Sequence, residues 1–199
     1  AFDGDQIVGV VAHYRQGNLL PQAPENLDEL WRAALHASGR PVHGIVGPAD
    51  QVFAIRDAIE PLGAEFSMDS LENLYTLRLN ELQTPSLLLA STVVGRRART
   101  DDVSLLSRWR AEYSIETLFE KESDELWQQC EEWSRQSTSE GTTWVLEIDG
   151  ELVAMSGFNT KIDDVVQIGG VYTPPHLRGR GYGRAVVSQS LLDARAEGA

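Results

Sequence analysis

The decisive stretch is Thr173-Pro174-Pro175-His176-Leu177-Arg178-Gly179-Arg180-Gly181-Tyr182-Gly183-Arg184. Its two prolines end any preceding ladder, because neither can donate a backbone hydrogen bond. Three glycines in five positions then let the chain turn with no Cβ in the way. A helix follows, with Val187, Leu191 and Ala194 on one face. A helix start leaves its first amides unpaired and carries the positive end of the dipole. Strand, double proline, glycine turn and helix together describe a cradle for a diphosphate, with Arg178, Arg180 and Arg184 to supply charge. No Gly-Lys-Ser/Thr follows the glycines, so this is not a P-loop, and glycines at 179, 181 and 183 fail the dinucleotide spacing. A glycine-rich turn with solvent-facing arginines is the plain alternative.

The surrounding charge makes the stretch stand out. The 199 residues carry a formal charge of −13, which argues against nucleic acid as a partner. Yet no acidic residue occurs from Val165 to Leu192. No apolar run approaches a membrane span, and there is no signal-peptide pattern. The single cysteine, Cys130, excludes an internal disulfide framework, and no histidine–carboxylate spacing suggests a metal. These features point to a cytoplasmic protein.

Working outward, Val165–Thr173 reads as the strand before the loop, and Ile168-Gly169-Gly170 as a bulge within it. Upstream, Asp149-Gly150 joins Thr143–Ile148 to Glu151–Phe158 as a tight hairpin. Thr92–Arg97 reads as a strand. Thr100 and Ser123 read as caps of two helices, with Val103, Leu106 and Trp109 on one apolar face and Leu126, Trp127, Cys130 and Trp133 on the other. Near the N-terminus the pattern predicts strands at Ile7–Tyr14, Val42–Val46 and Leu71–Leu79. It predicts helices after Asn26, ending at Gly39, and after Pro48, running through Leu62. The segment around Asp3-Gly4 echoes that around Asp149-Gly150, which two ordinary hairpins or a duplication would each produce.

The loop resembles the acyl-CoA motif of the GNAT superfamily of N-acyltransferases, [RQ]-x-x-G-x-[GA], through Arg178, Gly181 and Gly183. The element order from Thr92 to Ala199 is similar as well. The resemblance implies an α/β fold of the α+β mixed-sheet kind. It is a GNAT-like acyltransferase fold truncated after its motif helix and preceded by a degenerate GNAT-like half. Residues 1–82 are expected to be that half, 83–91 a linker and 92–199 the acyl-CoA domain. The family's tyrosine acid, on a later helix, has no counterpart to assign. The resemblance further implies acetyl-CoA as co-substrate, with Val171, Tyr172 and Thr173 along the pantetheine. Gly179, Arg180, Gly181, Tyr182, Gly183 and Arg184 would hold the pyrophosphate with Arg178. Arg15, in the first half, is expected to be indifferent to binding.

The implied activity is N-acetylation of a small amine-bearing acceptor. An acyl-CoA sensor without turnover is the alternative. Acyl transfer to an amine needs a group that drains the amine proton. Candidates are Glu112 and Tyr113, closing the first helix near the expected acceptor groove, then Glu116, and Gln167, which could orient water but not act as a base. A solvated helix end is the bland reading of Glu112, Tyr113 and Glu116. His176 reads as structural or a minor phosphate contact. Cys130 and Trp133 read as core.

Overall fold

The computed structural model describes residues 1–14 and 17–199, so Arg15 lies outside the described residues. Two compact units divide the chain, Ala1–Leu74 and Tyr75–Ala199.

In the first unit, β1 (Phe2–Asp3) and β2 (Gln6–Ile7) form a minimal hairpin. The strand expected from Ile7 begins afresh as β3 (Val10–His13), antiparallel to β4 (Asn18–Gln22), which runs parallel to β5 (Gly44–Ile45). Sequence reasoning missed β4, whose Pro21 argues against a strand. Pro21 is tolerated because β5 pairs only with Asn18 and Leu19, leaving that side of β4 open at the proline. Helix α1 (Leu27–Ser38) follows Asn26, which turns through a left-handed backbone (φ 57°) and makes no side-chain cap. Gly39, at φ 61°, ends the helix by donating to the Leu35 carbonyl. Helix α2 (Ala49–Ile59) starts after Pro48 and ends in a 3-10 turn, Glu60–Leu62. Leu19, Trp31 and Ile55 form the unit's core.

The strand expected over Leu71–Leu79 is absent. Leu71, Leu74 and Tyr75 are exposed, and Leu79–Glu81 is a 3-10 turn. Alternation alone makes no strand without a neighbour to satisfy its backbone. Residues 83–91 lie inside the second unit, where Leu87 and Leu88 of the 3-10 turn Ser86–Leu89 pack against its core.

The second unit is a four-stranded antiparallel sheet in sequence order: β6 (Val93–Arg97), β7 (Thr143–Ile148), β8 (Glu151–Ile162) and β9 (Val165–Tyr172). Asp149 and Gly150 both adopt positive φ, 51° and 86°, as the hairpin reading requires. Helices α3 (Val103–Thr117), α4 (Asp124–Ser139) and α5 (Tyr182–Ala196) complete the unit. Ser123 caps α4 by accepting from the Leu126 amide at 3.1 Å. Before α3 the expected Thr100 cap is replaced by a 3-10 turn, Thr100–Asp102. There the Asp102 carboxylate accepts from the Arg99 amide at 2.7 Å and from Arg96 Nη1 at 2.7 Å.

Period-two alternation sends the sheet's side chains to two cores. Trp144, Leu146, Ala154 and Phe158 meet Ala185, Val186 and Ala194 of α5. Val145, Met155 and Tyr172 meet Leu106 and Trp109 of α3. The α5 face expected to be core included Val187 and Leu191, but the buried set is one step round the helix, and those two line a groove. α3 and α4 pack through Ala111, Leu126 and Cys130. Burial pushes the Cys130 thiol up, consistent with an inert core cysteine. Among the described residues, no helix is long and apolar enough to cross a membrane.

Candidate functional site

β9 is the edge of its sheet among the described residues. Its pairing with β8 slips between Met155↔Tyr172 and Gly157↔Gly169, so one residue of β8, Ser156, faces two of β9, Gly170 and Val171. The extra residue is accommodated at Gly170, whose φ is +59°. A bulge at paired glycines is what the sequence suggested. It re-aims the end of β9, from Val171 onward, relative to β8.

After β9 the chain passes through Pro174 and a 3-10 turn, Pro175–Leu177, into the glycine loop. Gly179 and Gly181 both adopt left-handed backbone, φ 78° and 80°, and a Cβ on either would meet no atom within 4 Å. The two positions thus demand glycine for their torsions and face open space. Gly183 serves differently. A Cβ there would make ordinary contacts, 3.5 Å from Thr173 Oγ1 and 3.7 Å from Val171 Cγ1, at the end of β9. Gly181 occupies the N-cap position of α5 and offers no side-chain acceptor. The first-turn amides and the helix dipole are therefore available to an anion. Arg180 and Arg184 are exposed beside them. Tyr182, the first residue of α5, turns its ring toward the core below.

A cavity of about 460 Å³ adjoins this loop. It is lined by Val171, Gly183, Arg184, Val187, Ser188 and Leu191 on one side and by Leu77 and Glu81 to Gln83 on the other.

Arg178 does not reach toward that cradle. Its guanidinium forms a two-pronged ion pair with Glu116 of α3, at 2.6 and 2.7 Å, and its Nε donates to the Thr173 carbonyl at 2.8 Å. It also stacks 5.6 Å from the Tyr172 ring centroid. This fastens the start of the loop to the end of β9 and to α3. In this structure the Arg178 guanidinium is engaged by a carboxylate on α3. In the same pair, Arg178 holds the Glu116 carboxyl below its usual range.

Glu112, one turn earlier on α3, accepts a hydrogen bond from Tyr172 Oη at 2.9 Å. Tyr172 is buried, and burial, followed by the acceptor bond to Glu112 and the nearby negative charges, pushes its phenol up to about 12. Tyr172 is thus a fixed donor at neutral pH. Tyr113 packs against the Arg110 guanidinium, 5.2 Å away. Gln167 pairs with Thr160, on the far side of the bulge from Tyr172, and is exposed to solvent. Of the four candidates, only Glu112 combines partial burial, a carboxylate with no cation partner among the described residues and a position beside the end of β9.

Sequence reasoning missed Arg110. It lies over Trp133 at 4.5 Å and near Tyr113, and its Nη1 would be 3.3 Å from a Cβ on Gly170. Trp133, expected in the core, is only half-buried and serves as the floor for this arginine. The i, i+3 spacing of Arg110 and Tyr113 was legible, but the bulge that brings Gly170 to them was not tied to α3.

The family model described as the Acetyltransferase (GNAT) family matches residues 107–199. No curated protein matches. Solved structures similar to this chain include a "predicted acetyltransferase" of Clostridium acetobutylicum with acetyl-CoA, at 19% identity and a TM-score of 0.43, covering 52% of this chain and 74% of that one. Rv2747 of Mycobacterium tuberculosis, in complex with CoA and NLQ, is 27% identical with a TM-score of 0.42, covering 52% and 58%. N-acetylglutamate synthase of Neisseria gonorrhoeae, with coenzyme A and N-acetyl-glutamate, is 19% identical with a TM-score of 0.44, covering 55% and 24%. The match thus spans little more than half of the second protein and about a quarter of the third.

Proposed function

We propose that residues 107–199, which match the GNAT acetyltransferase family model, form a domain of that family, and that the protein transfers an acetyl group from acetyl-CoA to a primary amine. One observation carries the reading: Gly179 and Gly181 hold left-handed backbone around open space at the uncapped start of α5, in an otherwise acidic chain. The residues present fit a diphosphate. The amides of Tyr182, Gly183 and Arg184 donate to it, and Arg180 and Arg184 balance its charge. The exposed edge of β9 at Val171–Thr173 gives the pantetheine amides backbone partners.

Acetyl-CoA supplies an activated thioester. The amine nitrogen attacks its carbonyl carbon, the C–N bond forms, the C–S bond breaks, and the thiolate leaves to be protonated. The protein holds the two reactants together and removes the amine proton. Backbone N–H groups at the β9 bulge are suited to stabilise the oxyanion. Glu112, kept in place by Tyr172 Oη, takes the proton directly or through water. The Arg178–Glu116 pair keeps the loop start and α3 in register.

A second reading is an acyl-CoA-binding sensor without turnover. It is favoured by the engagement of Glu116 with Arg178 and the exposure of Gln167, which leave one carboxylate for proton transfer. Thiol release from acetyl-CoA in the presence of a broad amine panel separates the two. Steady release supports the transferase. Binding of acetyl-CoA with no release over any amine supports the sensor.

A further inference from the structure

Four arginines are partly buried among the described residues: Arg56, Arg96, Arg97 and Arg110. The first three are ion-paired, Arg56 with Asp57 and Asp69, Arg96 with Asp102 and Glu147, and Arg97 with Glu197. Arg110 has no carboxylate partner among the described residues, in a chain that carries 30 of them. A half-desolvated guanidinium without an anion is costly unless something offsets it. Here the offset is aromatic, since Tyr113 and Trp133 both present rings to it. Such stacking fixes the plane of the guanidinium and leaves its N–H edge free for an acceptor. Arg110 Nη1 comes close to Gly170, the bulge residue next to Val171.

We propose that Arg110 is a receptor for a carboxylate of the acceptor, so that the amine substrate is an amino acid or another amine bearing a carboxyl group. This rests on the acetyltransferase reading and goes further by naming the substrate class. The chemistry selects carboxylate over a bare polyamine, because a planar guanidinium pairs with a carboxylate through two parallel hydrogen bonds. It also separates two anions in space. The diphosphate belongs at Gly179–Arg184, beyond the end of β9, whereas the carboxylate belongs on the α3–α4 side at the bulge. Gly170 matters for the same reason, since a side chain there would press on Arg110.

The test uses the protein saturated with CoA and a panel of L-amino acids, each paired with its carboxamide. Binding is read by calorimetry, and turnover by thiol release with acetyl-CoA. At least one amino acid is expected to bind about 10- to 100-fold more tightly than its carboxamide. Arg110→Met should remove that preference while leaving CoA affinity within about twofold, because the diphosphate site is elsewhere. Arg110→Lys, which keeps the stem and the charge, should fold normally and recover only part of the preference. Equal binding of acids and amides, no binding of any amino acid, or a preference that survives Arg110→Met each overturns the proposal. Failure of the wild-type protein to bind acetyl-CoA overturns the acetyltransferase reading beneath it as well.

Discussion

Asp3-Gly4 and Asp149-Gly150 carry the same dipeptide in the two units and make different turns. In the first, Asp3 pairs with Gln6, so the turn residues are Gly4 and Asp5, with Gly4 at φ 58°. In the second, Ile148 pairs with Glu151, and Asp149 and Gly150 are themselves the turn. The dipeptide is one residue out of step, and one step along a strand exchanges its two faces. The first hairpin stops after two pairs with Phe2 and Ile7 exposed, whereas the second extends into β8, buried through its middle. An Asp-Gly pair therefore announces a turn but not its register. The register comes from what the flanking residues bury. The same lesson applies to the glycines. Gly39 and Gly181 share left-handed torsions and open surroundings, yet Gly39 closes a helix and Gly181 opens one. Only the second exposes helix amides to an anion.

The sharpest break of that comparison is a matched pair of substitutions. Gly181→Trp should abolish acetyl-CoA binding in a calorimetric titration, since it strains the backbone and fills the cradle. Gly39→Trp, with the same torsional conflict, should lower the melting temperature but leave the affinity within about twofold. Next in size is Glu112→Gln, expected to lower kcat about 100-fold with little change in acetyl-CoA affinity, as measured by thiol release. If Glu112 only buttresses Tyr172, kcat will hold.

A smaller effect distinguishes an anchor from a phosphate ligand. Arg178→Ala and Glu116→Gln should each weaken acetyl-CoA binding about fivefold, and the double variant no more than either alone. Additive losses would mean that Arg178 meets the diphosphate itself. Alkaline pH gives a further check. Tyr172 ionises near 10 when unfolded and at about 12 in the fold, so its contribution is full below pH 10 and is lost as pH rises toward 12. Denaturant titrations across that window should show the decline, and Tyr172→Phe should remove this part of it. Least of all, Gln167→Ala should change kcat and KM by less than about twofold.

Much of the second unit was legible in its sequence, because its signals are local and agree with one another. The Asp149-Gly150 turn, the paired glycines of β9, the Ser123 cap and the glycine loop each dictate torsions within a few residues. The first unit was harder. β4 carries a proline that only its edge position excuses, and the Leu71–Leu79 alternation has no neighbouring strand. The site divides in the same way. Glycines that need a backbone shape could be found by type and spacing. The partners of Arg178 and Arg110 could not, since Glu116 is 62 residues from Arg178, and Trp133 and Gly170 reach Arg110 only through the packing of α4 and β9.

The central claim is that the Gly179–Arg184 loop grips acetyl-CoA. Titrating acetyl-CoA into the folded protein by calorimetry tests it most directly. The account predicts one saturable site per chain, lost in Gly181→Trp and retained in Gly39→Trp. Absence of heat at saturating acetyl-CoA, or binding that Gly181→Trp leaves intact, would contradict it.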